Sequence, residues 1–223
     1  MLSRDAAEAA EIVQRNIDAL NGLVIGKGRA GSSLRHACGA LRANAETLIR
    51  EARVAEPWMA CYTLAREAGA TWRQVLGIRR DLAAEDASSL VATIIKSHGL
   101  LFSLITASRI LVNDEGFRSR QDVDAAKAVI SSAFSDTEEL IADDMQADIY
   151  QAVIALRAST IAYLVERQRP LPRMLRFSFG SPKPSLWFAH RLYADAGRAD
   201  EMRAENKVVH PAFMRPSGQA LSN

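Results

Sequence analysis

The residues of this chain best suited to chemistry by type are a run of cations threaded among aromatics. From Arg167 to Ala194 there are six basic residues (Arg167, Arg169, Arg173, Arg176, Lys183 and Arg191) and no acid. Phe177, Phe179, Trp187 and Tyr193 are interleaved with them, and His210 and Phe213 follow. Cations spaced among aromatic rings can hold phosphates and stack the bases of a single strand. Alternatively the aromatics form a small core and the arginines face an acidic partner, which is the reading preferred. The residues expected at such a contact are Arg169, Arg173, Arg176, Lys183, Arg191, Trp187, Tyr193, His210 and Phe213.

Three other constellations contain residue types suited to chemistry. Between Lys127 and Arg157 there is no basic residue, while Asp136, Glu138, Glu139, Asp143, Asp144 and Asp148 crowd a turn. Paired carboxylates can hold a divalent cation, but these do not share one helix face and no His or Asn joins them, so a solvated or partner-facing surface is expected. Gly26-Lys27-Gly28-Arg29-Ala30-Gly31 fits G-x-G-x-x-G. A dinucleotide loop must follow a buried strand and open a helix within a βαβ unit. Here a helix comes first, Leu23–Ile25 is a very short strand candidate, and Glu51 at the spacing of a ribose-binding acid does not supply the missing context. The histidines (His36, His98, His190, His210) are scattered, and Cys38 and Cys61 have neither CxxC spacing nor a histidine cluster. No base, nucleophile or ligand set emerges, so no enzyme, cofactor or metal is expected.

The elements that must carry these residues are mostly helices. Residues 3–22 place Ile12, Val13, Ile17 and Leu20 at helical spacing behind Ser3 as a cap. Gly22 to Ser33 break the pattern, Ser32 or Ser33 caps a helix to about Ala52, and Pro57 opens a third to about Gly69. Residues 71–81 are ambiguous. A helix from about Ala83 or Asp86 carries Leu90 to Val112, which has almost membrane-spanning length. Lys96, His98 and Arg109 lie inside it, and each charge at bilayer depth costs about 2.5–3.5 kcal/mol, so a core helix is expected. Val123, Ala126, Ile130, Ala133, Thr137, Leu140 and Ile141 make one stripe of a helical hairpin. Ile149, Val153, Leu156, Thr160 and Leu164 make the other, which ends before Pro170. Beyond it Leu175, Phe177 and Phe179 alternate with Arg176 and Ser178 as in a strand. Gly180–Pro184 is a turn, Ser185 caps a helix ended near Gly197, and a short helix spans about Ala199 to Glu205. The expectation is a mainly α fold: a multi-helix bundle over 1–168 and a small α+β module over 169–223.

Composition agrees with a globular protein: 223 residues, 48% hydrophobic and 24% charged, with no apolar run at the start because Arg4, Asp5, Glu8 and Glu11 interrupt it. The net charge of +2 is too small to imply nucleic acid or acidic lipid. The cysteine usage suggests a reducing compartment.

The C-terminal stretch also resembles a known family. Leu192-Tyr-Ala-Asp-Ala-Gly-Arg-Ala-Asp-Glu-Met, then Arg203-Ala-Glu-Asn206 and His210-Pro-Ala-Phe213, is similar to the end of Mu-like prophage DNA circularisation proteins. Their pattern is a Tyr-Gly-Asp-Ala run, Arg-Ala-Asp-Glu-Ile, Arg-Asn and His-Pro-Gly-Phe. Ala194 and Ala212 stand where it has glycines. Leu41-Arg-Ala-Asn-Ala-Glu-Thr-Leu-Ile49 resembles the middle of the family. The family begins with a β-rich domain, whereas this chain begins in helices, which implies a short relative, half of a split protein or a separate gene product. The strand–helix–helix–loop ending resembles a LysM module, a fold reused in baseplate proteins as a connector, although its closing strand near Gln219 to Leu221 is barely legible.

The resemblance implies a component of a contractile or Mu-like tail, present in several copies beside other baseplate or hub subunits and located in the virion. The alternative implied by the family name is a DNA-binding protein that holds phage ends together.

Overall fold

A computed structural model of the protein describes residues 3–23, 28–143 and 147–222. The Ser3 side chain, Val24 and Ile25 of the strand candidate, Gly26 and Lys27 of the glycine motif, the Asp143 side chain and Asp144 lie outside the described residues. The chain is mainly α-helical with a small α+β module. In order come α1 (Ser3–Asn21), α2 (Arg29–Arg50), α3 (Ala55–Glu67), α4 (Trp72–Ala83), α5 (Leu90–Val112), α6 (Arg120–Asp143) and α7 (Ala147–Gln168), followed by β1 (Met174–Ser178), α8 (Ser185–Tyr193), α9 (Ala199–Glu205) and β2 (Ser217–Leu221). Two compact units result: Met1–Asp114 with Val129–Ile161, and Glu115–Ala128 with Ala162–Asn223.

Local chemistry explains the boundaries that differ from expectation. The ambiguous segment 71–81 is helix α4, because Thr71 and Gln74 close a capping box. The Thr71 hydroxyl accepts from Gln74 N at 3.3 Å, and Gln74 Oε1 accepts from Thr71 N at 2.8 Å. Helix α5 starts at Leu90 rather than near Ala83, because Ser89 caps it through Ala92 N at 3.2 Å. Helix α2 begins at Arg29, ahead of both serines. Pro57 sits in the first turn of α3, where its missing N–H has no acceptor to lose. Gly69 ends α3 at φ 94°, with Ala70 N bonded to Ala65 O and Gly69 N to Arg66 O, so the left-handed residue satisfies the last carbonyls.

Within the first unit α5 packs against α1, α3 and α4. It is long and apolar enough to cross a membrane by length and composition, yet half of its apolar window is buried inside the protein. Lys96 reaches out to Ala83 O and Glu85 O and so caps α4, while His98 Nδ1–H donates to Ile94 O at 2.8 Å. Gly99 lets Trp58 approach, since a Cβ there would lie 2.7 Å from the indole. Trp58 meets Phe102 edge to face at 5.7 Å. Buried Asn16 Oδ1 accepts from both Trp58 Nε1 and Tyr62 OH at 2.9 Å. Arg79, 5% exposed, donates to Leu100 O and Ala133 O at 3.0 Å, and burial lowers its pKa. A cation bonded this way ties α4 to α5 and α6, because freeing either carbonyl would orphan a buried group. Val123, Ala126, Ile130, Ala133, Thr137 and Ile141 of the α6 stripe are all buried.

Candidate docking site in the C-terminal unit

The second unit is built on one antiparallel pair. β1 and β2 align Met174 with Leu221, Arg176 with Gln219 and Phe177 with Gly218. The closing strand is therefore five residues long, more than the sequence signal at Gln219 to Leu221 suggested. Its weakness in the sequence has a cause: Ser217 and Gly218 have low strand propensity, and this stretch is fixed from outside by Asn206. That side chain donates to Gln219 O and accepts from Gln219 N, both at 2.8 Å, and also donates to Met202 O at 2.8 Å. The amide thus acts as a third strand for one residue and pins the end of α9 to β2. Gly218 is obligatory beside it, since a Cβ would lie 2.1 Å from Asn206 Oδ1 and 2.8 Å from Phe177 Cζ.

Phe177, Phe188, Ala189, Ala199, Met202, Met214 and Ala220 form the core of this unit, with Phe179, Leu192 and Tyr193 packed against it. Phe188 lies 5.1 Å from Phe177 and 5.3 Å from Phe179, centroid to centroid. The small aromatic core expected from the sequence is thus present. Leu175, expected on the covered face of β1, is instead 52% exposed. Ser185 is not the cap of α8; it is buried as the first helical residue, Pro184 precedes it, and its N–H donates to Pro211 O. The helix ends sooner than Gly197, at Ala194, which takes the left-handed conformation at φ 57°. Asp195 then caps a 3₁₀ turn through Gly197 N, and α9 follows.

The residues expected to make the contact divide into two sets. Tyr193 belongs to the unit's own packing. It is half-buried under the Arg198 guanidinium, 3.7 Å from the ring centroid, and desolvation raises its phenol pKa. The others reach solvent. On α8, Leu186, Trp187, His190 and Arg191 are exposed, with Trp187 edge-on to Phe179 at 5.2 Å. His210 stacks on Phe213 at 5.2 Å, and Phe213 remains 74% exposed. The side chains of Arg173, Arg176, Lys183 and Arg191 have no hydrogen-bond or ion-pair partner among the described residues. Lys183 is held in place by its main chain, which accepts from Met214 N.

Arg169 and Arg173 enter a cleft that the sequence did not reveal. The start of α6 grips the segment leading into β1. Arg120 donates Nε to Leu171 O at 2.8 Å and Nη2 to Arg169 O at 3.1 Å, and Gln121 exchanges two bonds with the main chain of Met174. Ser222 bonds both main-chain groups of Arg173 from the other side. The resulting open cleft of about 490 Å³ is lined by Arg120, Gln121, Asp124, Gln168, Arg169 and Arg173, among others. Its one carboxylate, Asp124, is matched by Lys127 at 2.8 Å; that hydrogen bond, with one from Gln168, lowers its pKa. Arg169 pairs with exposed Glu166 at 3.0 Å. A cleft so lined suits a carboxylate-bearing partner.

Elsewhere the candidates remain apart. Among the described residues no group of three or more His, Cys, Asp or Glu could hold a metal ion. Gly28 and Arg29 of the glycine motif stand where α2 begins. Of the acidic residues, Glu138 is bound by Arg157 at 2.7 Å, while Asp136, Glu139 and Asp148 are exposed. Cys38 and Cys61 are both buried as free thiols. No protein-family model matches the chain, and no curated protein matches it either.

Proposed function

We propose that the chain is a non-enzymatic structural component of a phage-type tail, contractile or Mu-like, placed in several copies at the baseplate or hub and acting by protein–protein packing. Its partners are other tail subunits; it takes no cofactor, does not cross a membrane, and reaches the virion after assembly in the host cytoplasm. The observation carrying this reading is the surface of the second unit. Leu175, Leu186 and Phe213, each more than half exposed, sit on a small β–α–α–β unit with four cations that have no partner among the described residues. Large apolar side chains left uncovered beside uncommitted charge are the marks of a surface completed by another protein.

The local conformation supports the resemblance. The family pattern has glycine where Ala194 stands, and Ala194 is left-handed at φ 57°, the conformation glycine adopts most readily. The β–α–α–β order with an antiparallel closing pair supports the resemblance to a LysM module. The test is immunogold labelling of a tagged chain on tail particles from the host carrying the gene. Label at the baseplate end is expected; particles consistently free of label would sink the reading.

The uncommitted Arg173, Arg176, Lys183 and Arg191 keep one alternative in view, a protein that binds phage DNA ends. Affinity would then fall steeply with salt, with a slope set by the number of phosphate contacts. A gel shift with linear duplex and single strands at low salt distinguishes the two, and no shift at micromolar protein removes the alternative.

A further inference from the structure

We infer that the Arg173 cleft of the second unit is a self-association site, and that its occupant is the acidic face of α6 in another copy of the chain. This deepens the multi-copy reading above and rests on it. Charge complementarity carries it. Residues 128–156 hold six carboxylates and no cation, and residues 167–194 hold six cations and no carboxylate. Such blocks of single sign repel within themselves and gain by meeting.

The cleft offers donors in the form a carboxylate takes. The Arg173 guanidinium has no partner among the described residues, whereas its main chain is fixed on both sides by Ser222, so the side chain projects from an anchored base. Arg120 commits Nε and Nη2 to carbonyls and keeps Nη1 for a ligand. Asp124, which would repel an incoming acid, is already matched by Lys127. On the other side Asp136 and Glu139 are exposed, stand three residues apart on one face of α6, and have no ion pair among the described residues. A planar guanidinium can take a carboxylate through two parallel bonds.

The two surfaces are different patches, so the contact is heterologous: each copy offers a cleft to one neighbour and an acidic face to another. Repeated, it gives a ring if the rotation closes and a filament if it does not. Single exposed ion pairs are weak and screened, so the association must depend on several charges and on salt. The screening length falls from about 10 Å at 0.1 M to about 3 Å at 1 M salt.

The test is sedimentation velocity on the purified full chain over a range of concentration and salt. Expected is a mass of two or more copies at low salt that returns to one copy at high salt. Arg173→Glu, and separately the pair Asp136→Lys with Glu139→Lys, should each weaken association at least tenfold. Mixing the two charge-reversed proteins should restore it, because each then offers the surface that the other needs. Circular dichroism verifies that each variant folds, and Arg173→Gln serves if the reversal does not.

A chain that stays monomeric at every salt, or variants that associate like the parent, overturns the proposal; so does a mixture that remains monomeric. If Arg173→Glu abolishes a salt-sensitive DNA shift and leaves the mass unchanged, the occupant is nucleic acid and the proposal is wrong. A monomer that nevertheless labels tail particles refutes this contact alone. A self-associating chain that never labels them refutes the tail reading alone.

Discussion

Gly218→Ala tests whether the Asn206 amide holds the second unit together. The added Cβ would lie 2.1 Å from Asn206 Oδ1 and 2.8 Å from Phe177 Cζ, and neither atom is the free end of a flexible chain. Asn206 is fixed by three hydrogen bonds at 2.8 Å, and Phe177 is buried beneath Phe188. Relieving the clash breaks the two bonds to Gln219, at about 1 kcal/mol each, and forces a strained repacking that costs about 1–3 kcal/mol. The expected loss is therefore about 3–5 kcal/mol. Asn206→Ala alone loses hydrogen bonds and gives no clash. In that background Gly218→Ala meets only Phe177, so the double variant should be less destabilised than the sum by about 1–2 kcal/mol. The chain has three tryptophans, and only Trp187 lies in this unit. Its ¹⁹F resonance in fluorotryptophan-labelled protein reports the unit's unfolding in a denaturant titration, while Trp58 and Trp72 report the other unit. Additive single effects, or a Gly218→Ala midpoint equal to the parent's, would show that the amide is not in contact with β2.

Ala194→Gly should stabilise the same unit by about 0.5–1 kcal/mol, since an alanine at φ 57° carries a left-handed penalty that glycine lacks; a lower Trp187 unfolding midpoint would contradict it. The Ser88 N–H, with the Ser89 and Ser88 hydroxyls, lowers the Glu8 pKa from 4.5 to about 2. The charged form is the one held in the fold, so its stabilisation is complete above about 4.5 and is lost as pH falls toward 2. Glu8→Gln should accordingly lower stability at neutral pH and converge with the parent as pH falls toward 2, which flattens the acid limb of a stability–pH curve. Asn16→Leu orphans the donors of Trp58 and Tyr62, which are fully buried, and should cost about 2–5 kcal/mol by chemical denaturation. Cys38 and Cys61 should resist an aromatic disulfide reagent until denaturant is added, because both are buried and the Cys61 thiol pKa is raised by its hydrogen bond with Cys38 and by burial.

Periodicity made the helices legible because it records which face each helix buries: the α6 stripe from Val123 to Ile141 is buried apart from half-buried Leu140, whereas Ile149 of the α7 stripe is exposed. Helix starts were less legible, because a cap is a two-residue event. Thr71 and Gln74 carry the signal three residues apart in a segment whose apolar spacing is short, so the capping box is the clearest sign of a helix there. β2 was nearly invisible for another reason. Its register is set by Asn206, a residue outside the strand, and Gly218 is there for the amide that approaches it. The Arg173 cleft was hidden by the same kind of long-range bond. Arg120 and Gln121 reach main-chain groups about fifty residues away, and polar side chains reaching distant carbonyls leave no periodic trace. The cations were legible as a group, yet their division was not: Arg169 has a partner in Glu166, and Arg173 has none among the described residues.

That division decides where a partner can bind. Several residues of the C-terminal stretch have tasks inside the fold. Tyr193 packs under Arg198, Ala194 turns the chain, and Asn206 holds the closing strand. Their pattern would persist in any protein needing this β–α–α–β unit, whatever it binds, so the motif speaks for the fold and the partner must be read from other residues. Those other residues are the exposed side chains of Arg173, Arg176, Lys183, Arg191, Leu186 and Phe213. Exposure of Phe213, and of an Arg173 side chain with no ion pair among the described residues, adds little to the stability of the unit. A protein–protein contact accounts for the cations and the apolar groups together, because the apolar groups exclude water around the charges and strengthen them. A contact to phosphate alone would account for the cations and leave Leu186, an aliphatic side chain that cannot stack on bases, without a task.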